Sequence, residues 1–264
     1  MASPFMNPAA PLHPAFTAQA KRGGRKLAML TAYDYPGARL LEEAGVDWVL
    51  VGDSLGMVVL GYPDTTHVTL SDMLHHTAAA ARGLSRTPLI ADLPIGTYGT
   101  PEKAVQSARA LLRAGAHAVK IEGGATHRSQ IEALAAAGIP VMGHIGMLPQ
   151  SVLLEGGYHI KGKTPEASDL LLADALALAG AGVFAMVLEL VHPAAAQRIT
   201  EAVPVPTIGI GSGSHCDGQV LVTHDLTGAF PWFRPKFATA KAAVGEAIRS
   251  AAAEFAAEVR SLEK

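Results

Sequence analysis

LIADLPIGTYGTPEKAVQSARALLRAGAHAVKIE, residues 89–122, holds the pattern that decides the fold. Leu89 to Asp92 is a short apolar run closed by an acid. Pro101 to Ala114 has helical composition and stops at Gly115, a residue suited to a left-handed helix end. Ala118 to Glu122 is again apolar until its final acid. A run that is apolar at nearly every position, not at alternate ones, is expected where both faces of a strand are buried, as in parallel sheets. Strand, helix and strand in that order make a βαβ unit.

The same rhythm extends in both directions. Upstream lie strand 27–31, helix 35–44, strand 48–51 and helix 71–82. Downstream lie helix 127–137, strand 140–144, helix 165–179, strand 183–189, helix 193–201, strand 207–210 and a last apolar run at 220–222. A longer connection, 146–164, interrupts the pattern, and 238–262 is helical in composition. Eight strand and helix units in a chain of 264 residues predict one closed (β/α)8 TIM barrel, which needs roughly 250 residues. An open doubly wound sheet is the structural rival, because counting strands does not prove closure. Residues 1–26, with Pro4, Pro8, Pro11 and Pro14 ahead of a basic cluster, read as an irregular or docking N-terminal arm, and 27–264 as the catalytic barrel.

Composition narrows the function. Apolar residues make up 49% and charged residues 17%, which suits a compact soluble protein. A net charge of -2 argues against a nucleic-acid partner, whose phosphates call for a clustered excess of Lys and Arg. No apolar run is long enough to span a membrane. The N-terminal basic residues follow a proline-broken segment, the wrong order for a signal peptide. Cys216 is the only cysteine, so neither an intrachain disulfide nor a thiolate metal cluster is possible, and a cytoplasmic location is expected.

In this barrel the chemistry lies at the carboxyl ends of the strands. The polar residues ending the apolar runs are Asp53, Asp92, Glu122, His144 and Glu189. Three acids thus close the second, third and fourth strands, which lie about 4.8 Å from their neighbours. They can converge on one cation, and oxygen ligands without cysteine favour Mg²⁺. The plainer alternative is that such acids serve as helix caps or arginine partners. Lys120 stands two residues before Glu122, so both face the barrel interior. It either pairs with those carboxylates or holds an anionic substrate group. Of His75 and His76, mid-helix beside Leu74, one reads as a packed helix residue and not a ligand, and GIGSG at 209–213 reads as a tight turn.

Several motifs then become specific in order and spacing: TAYDY at 31–35, VGDSLGMV at 51–58, ADLP at 91–94, VKIEGG at 119–124, MGHIGMLPQS at 142–151, GGY at 156–158, LEL at 188–190, GIGSG at 209–213 and HD at 224–225. Together, over Leu27 to Phe237, they resemble the ketopantoate hydroxymethyltransferase family. That resemblance implies a (β/α)8 barrel, Mg²⁺, 5,10-methylene-tetrahydrofolate as one-carbon donor, 3-methyl-2-oxobutanoate as acceptor, a Mg-stabilised enolate and a place in the first step of pantothenate biosynthesis. Carried over by motif, Asp53 and Asp92 would be metal-linked, with Glu122 reaching the ion directly or through water. Ser54 and Lys120 would hold the oxo-acid, His144 would be a nearby polar contact, and Glu189 would be the base. The family also implies a homo-oligomer, a decamer, with the arm and the C-terminal helix as contact surfaces. The chain departs from the common pattern at Thr66, His67, Leu148, Ser212 and Ala238. The alternatives are another Mg-dependent carbon–carbon lyase or aldolase of the same barrel superfamily, against which the absence of a KKCGH-type motif speaks, and a non-catalytic barrel.

Overall fold

The structure, a computed structural model, describes residues 12–262. Eight parallel strands close into a barrel in sequence order: β1 (Leu27–Thr31), β2 (Trp48–Val51), β3 (Leu89–Asp92), β4 (Ala118–Glu122), β5 (Val141–Gly146), β6 (Ala185–Glu189), β7 (Thr207–Ile210) and β8 (Gly218–Leu221). Closure excludes the open-sheet rival. The helices are α1 (Pro14–Arg22), α2 (Tyr35–Glu43), α3 (Leu55–Val58), α4 (Leu70–Ala81), α5 (Pro101–Arg113), α6 (Arg128–Ala136), α7 (Val152–Glu155), α8 (Pro165–Ala181), α9 (Pro193–Ala202), α10 (Thr223–Thr227) and α11 (Val244–Ser261). No helix among the described residues is long and apolar enough to cross a membrane.

Two buried clusters explain why the strands are apolar at every position. Outward residues such as Val49, Val51, Ala91 and Val119 pack in one cluster with helix residues including Ala108 and Leu111 of α5. Inward residues, among them Trp48, Leu50, Ile90, Ala118 and Val187, form the second cluster inside the barrel. The α5 helix shows how sequence directs this packing. Thr100 caps it by accepting from the Lys103 N–H at 3.3 Å, Pro101 supplies a preset first turn, and the buried positions Ala104, Ser107, Ala108 and Leu111 follow helical spacing.

The first eleven residues of the expected arm lie outside the described residues. The rest is ordered differently from an irregular segment, because Pro14–Arg22 is helical and Leu12 is wholly buried in the barrel-interior cluster. The Thr17 hydroxyl donates to the Phe184 carbonyl at 2.6 Å, just before β6. Lys21 Nζ donates to the Thr200 and Val205 carbonyls at 2.5 and 3.1 Å and pairs with Asp217 at 3.0 Å. These partners precede β6, β7 and β8, so α1 covers the amino end of the barrel, opposite the end that carries the acids.

The chain divides into two compact units, the first ending at Val220 and the second beginning at Leu221. In the second unit the helix expected from residue 238 starts only at Val244. The Lys241 and Gly245 N–H groups donate to the Leu226 and Gly228 carbonyls, so a local turn claims the donors that an earlier helix start would need. The α11 helix has no buried residue.

Candidate active site

Strand register sets out the site. Asp92 on β3 lies beside Lys120 on β4, Glu122 beside His144 on β5, and Gly146 beside Glu189 on β6. Alternation turns Lys120, Glu122, His144 and Glu189 to the same interior side as Ala118, Met142 and Val187. Asp53 follows β2, where its backbone N–H donates to Asp92 Oδ2 at 3.0 Å. Inward-facing Gly52 makes room for this contact, since a Cβ there would lie 2.9 Å from Ser54 Oγ and 3.6 Å from Asp92 Oδ2. Asp53, Asp92, Lys120, Glu122 and His144 are all buried, and Ser54 is half-buried with its Oγ 2.8 Å from the Tyr33 hydroxyl.

The cluster is short of positive charge. Lys120 Nζ lies 3.1 Å from Asp92 Oδ1 and 3.7 Å from Glu122 Oε1, so it pairs with these carboxylates. Burial opposes its charge, but Asp92, Glu122 and Asp53 outweigh burial and hold the ammonium protonated. One lysine cannot satisfy three carboxylates. Burial, then repulsion from Asp92 and Glu122, pushes Asp53 well above the ordinary carboxylate range. Burial also raises Asp92, although Lys120 pulls against it. Glu122 goes the other way, because His144 and Lys120 more than offset its burial. Asp92 Oδ1, Glu122 Oε1 and His144 Nε2 are buried with ionic contacts but without a well-directed hydrogen bond.

His144 divides the site. Its Nδ1 lies 3.4 Å from Glu122 Oε1 and its Nε2 3.4 Å from Glu189 Oε2. Burial and the Lys120 ammonium depress its pKa, but Glu122 and Glu189 outweigh them and lift it to about 9. Lys120 Nζ, 3.1 Å from Nδ1, can donate only to the imidazole with its hydrogen on Nε2, whereas the protonated ring turns Nδ1–H towards Glu122. Glu189 thus sits across the imidazole from the crowded carboxylates.

The backbone around Glu189 is braced on three sides. Met147 N–H donates to its carbonyl at 2.8 Å, and a Cβ on Gly146, whose φ is 101°, would lie 2.3 Å from that oxygen. Leu190 is the only described non-glycine residue in the left-handed region, with φ 46°. Its N–H donates to the Ile210 carbonyl and its carbonyl accepts from Lys161 N–H. In the GIGSG turn, Ser212 Oγ accepts from Val191 N–H at 2.9 Å and donates to the Leu188 carbonyl at 2.7 Å. That turn serves the neighbouring strand. His76 packs as expected, with Nδ1 2.7 Å from the Tyr33 carbonyl.

Sequence reasoning proposed no role for Gln150 or Tyr98. Gln150 lies within the MGHIGMLPQS motif but outside any strand end, and Tyr98 lies in a loop. Gln150 Nε2 donates to Asp53 Oδ2 at 2.8 Å, its backbone N–H donates to Glu122 Oε2 at 3.1 Å, and the Tyr98 hydroxyl donates to its Oε1 at 2.5 Å.

A family model described as ketopantoate hydroxymethyltransferase matches residues 14–263. The chain belongs to the ketopantoate hydroxymethyltransferase family. The match extends on both sides of the span that the motifs alone covered. The chain is 54% identical over 241 residues to the 3-methyl-2-oxobutanoate hydroxymethyltransferase of Ignicoccus hospitalis, covering 91% of each chain. It is 55% identical to that of Pyrobaculum calidifontis, covering 90% of each, and 50% identical to that of Thermus thermophilus, covering 90% of this chain and 91% of the relative. Membership of this family makes the chain a transferase enzyme. Among solved structures, a phosphoenolpyruvate phosphomutase from Streptomyces platensis superposes with a TM-score of 0.60 at 20% identity, covering 79% of this chain and 82% of that one. A 2,3-dimethylmalate lyase gives a TM-score of 0.57 at 19% identity, covering 94% and 88%. These two likenesses concern the fold alone.

A magnesium site in this hydroxymethyltransferase-family chain can be tested against its own donors. Among the described residues, no three His, Cys, Asp or Glu side chains are grouped so as to hold a metal by themselves. Mg²⁺ does not need three, because it is commonly held by one or two carboxylates with water and substrate oxygens completing the shell. Asp53 and Asp92 supply two oxygen donors, and the raised pKa of Asp53 marks a place where added positive charge is favourable. Glu122 is already engaged by Gln150 on one oxygen and faces Lys120 and His144 with the other. The residues fit the ion, with Asp53 and Asp92 nearest to the role.

Proposed function

We propose that the protein transfers a hydroxymethyl group from 5,10-methylene-tetrahydrofolate to 3-methyl-2-oxobutanoate, giving 2-dehydropantoate, the first step of pantothenate biosynthesis. Asp53 and Asp92 would hold Mg²⁺, with Glu122 reaching it directly or through water. When bound, the ion supplies Lewis-acid stabilisation of negative charge on the oxo-acid. Lys120 and Ser54 bind the oxo-acid, and His144 is a polar contact beside it.

The observation that carries this reading is the separation of Glu189 from the other acids by the His144 ring, which lies 3.4 Å from a carboxylate on each side. An acid outside the crowded cluster can act as general base, while the cluster itself is committed to charge balance. Glu189 takes the proton from C3, which then bonds to the donor's methylene carbon as one of its two bonds to folate nitrogen breaks; water displaces the second nitrogen to leave the hydroxymethyl group, and the two nitrogens take up the C3 proton and one proton of the water, giving tetrahydrofolate. The connection after β5 is tied to the segment following Glu189, where Lys161 N–H donates to the Leu190 carbonyl and the Lys161 carbonyl accepts from His192 N–H, both at 2.8 Å, and there it would limit water.

The same proposal includes a cytoplasmic homo-oligomer, a decamer. The α11 face with Ile248, Phe255 and Val259 exposed at 63, 67 and 44% is a suitable contact surface. Light scattering of the purified protein tests the assembly, and a monomeric mass refutes it. For the activity, turnover of 3-methyl-2-oxobutanoate with 5,10-methylene-tetrahydrofolate should vanish on chelation and return with Mg²⁺. Absence of 2-dehydropantoate with both substrates and Mg²⁺ present refutes the proposal.

A further inference from the structure

Gln150 belongs to the connection between β5 and α8, yet its bonds reach β2, β3 and β4 territory. The residue is buried, at 4% exposure. Nε2 donates twice, to Asp53 Oδ2 at 2.8 Å and to the Leu93 carbonyl at 3.0 Å. Oε1 accepts from the Tyr98 hydroxyl at 2.5 Å. The Leu93 carbonyl, which can only accept, fixes the orientation of the amide, since a flip would set Oε1 against it. The Tyr98 hydroxyl must therefore be the donor to Oε1, and burial, which raises its pKa, keeps that proton in place. With its backbone N–H on Glu122 Oε2, Gln150 alone among the described residues contacts both Asp53 and Glu122 through directed hydrogen bonds.

We propose that Gln150 is a positioning residue that fastens the connection after β5 to Asp53 and Glu122, so that a closed mouth and a correctly turned carboxylate pair form one state. The proposal deepens the reading of Asp53 as a magnesium-linked carboxylate. By occupying Oδ2, the amide leaves Asp53 Oδ1 as the oxygen free of it and fixes the direction of that oxygen. Donation to Glu122 Oε2 likewise leaves Oε1 to Lys120 and His144. Opening the connection breaks both restraints together, which couples access to the site with its readiness for the ion.

Gln150→Met tests the proposal with little change of volume, because it removes the amide but retains the backbone bond to Glu122. Hydrogen–deuterium exchange, followed by mass spectrometry without metal or substrate, should become about tenfold faster across 147–157 and stay parent-like in peptides from α5 and α9. Mn²⁺ binding in the presence of 3-methyl-2-oxobutanoate, read by electron paramagnetic resonance, should weaken about tenfold. Tyr98→Phe, which frees only Oε1, should fall between parent and Gln150→Met in both measurements. Exchange within twofold of the parent in Gln150→Met overturns the fastening, and faster exchange with unchanged Mn²⁺ affinity overturns the positioning role. Asp53→Asn separates the two readings: Mn²⁺ affinity equal to the parent's in that variant refutes the metal role of Asp53, while the exchange arm still decides whether Gln150 fastens the connection.

Discussion

Replacing Glu189 by Gln isolates the proposed base. The amide is nearly isosteric, and Glu189 forms no hydrogen bond or ion pair with Asp53 or Asp92, so Mg²⁺ and oxo-acid binding should persist. Removal of the C3 proton should not. A positioned general base is worth about 10²- to 10⁴-fold, and a 10²-fold loss corresponds to about 2.7 kcal/mol of barrel-bound transition-state stabilisation. The structure places a partial substitute nearby, since His144 Nε2 stands 3.4 Å from Glu189 Oε2. The expected loss therefore lies at the lower end, about 10²-fold. The same geometry predicts the pH dependence of the residue of activity. Glu189 is one of the groups that lift His144 to about 9, so its neutralisation lowers the imidazole pKa and makes the free base available at lower pH. Residual exchange in Glu189→Gln should climb with rising pH and level off below pH 9. The assay is loss of the C3 proton signal of 3-methyl-2-oxobutanoate in D₂O, followed by NMR with Mg²⁺ present. Exchange within a factor of three or so of the parent's, with oxo-acid binding intact, would falsify the assignment and make His144 the next candidate.

Three further outcomes follow from particular contacts. Lys120→Ala should raise the KM for the oxo-acid much more than that for 5,10-methylene-tetrahydrofolate, and equal changes in side-by-side kinetics would leave Lys120 with only its ionic contacts to Asp92 and Glu122. Burial disfavours the Glu42 charge, but hydrogen bonds from Ser85, Arg86 and Thr87 outweigh it and bring its pKa down to about 2. A depressed carboxylate stabilises the fold above its ordinary pKa and loses that effect as pH falls through the folded value, so Glu42→Gln should cost about 1–2 kcal/mol at pH 7 after allowance for solvent screening, with the gap closing between pH 4.5 and 2 in denaturant titrations. Leu12→Ala should destabilise the protein by about 2–5 kcal/mol in the same titrations, because Leu12 is wholly buried in the barrel-interior cluster, and a change under about 0.5 kcal/mol would show that Leu12 does not help close the amino end.

The strands were legible because each carries its own message. Val49 and Val51 face helices while Trp48 and Leu50 face the barrel interior, so a strand such as WVLV is apolar throughout and announces parallel pairing without any knowledge of its neighbours. The acids that close those runs were legible for the same reason, since alternation along β4 puts Lys120 and Glu122 on one side whatever lies next to them. The α11 start was misplaced because Ala-rich composition reports helix preference and says nothing of the Gly228 and Leu226 carbonyls that claim the Gly245 and Lys241 donors. The N-terminal segment offered prolines and basic residues, and only the assembled barrel supplied the Phe184, Thr200 and Val205 carbonyls on which α1 docks.

The sequence by itself therefore determined the number of strands, their parallel order, the end of the barrel that carries the acids, and the family. Only the tertiary structure decided how charge is shared among those acids. Asp53 is raised and Glu122 lowered, although both are strand-end carboxylates, because His144 and Lys120 lie within reach of Glu122 while Asp53 meets chiefly burial and repulsion. Such differences depend on separations of a few ångströms between residues far apart in the chain, and Coulomb interactions in a buried site change steeply over that range. Gln150 belongs to the same class. Nothing local distinguishes it from other loop amides, and its place between Asp53 and Glu122 exists only once the connection after β5 has folded over strands that precede it in the sequence.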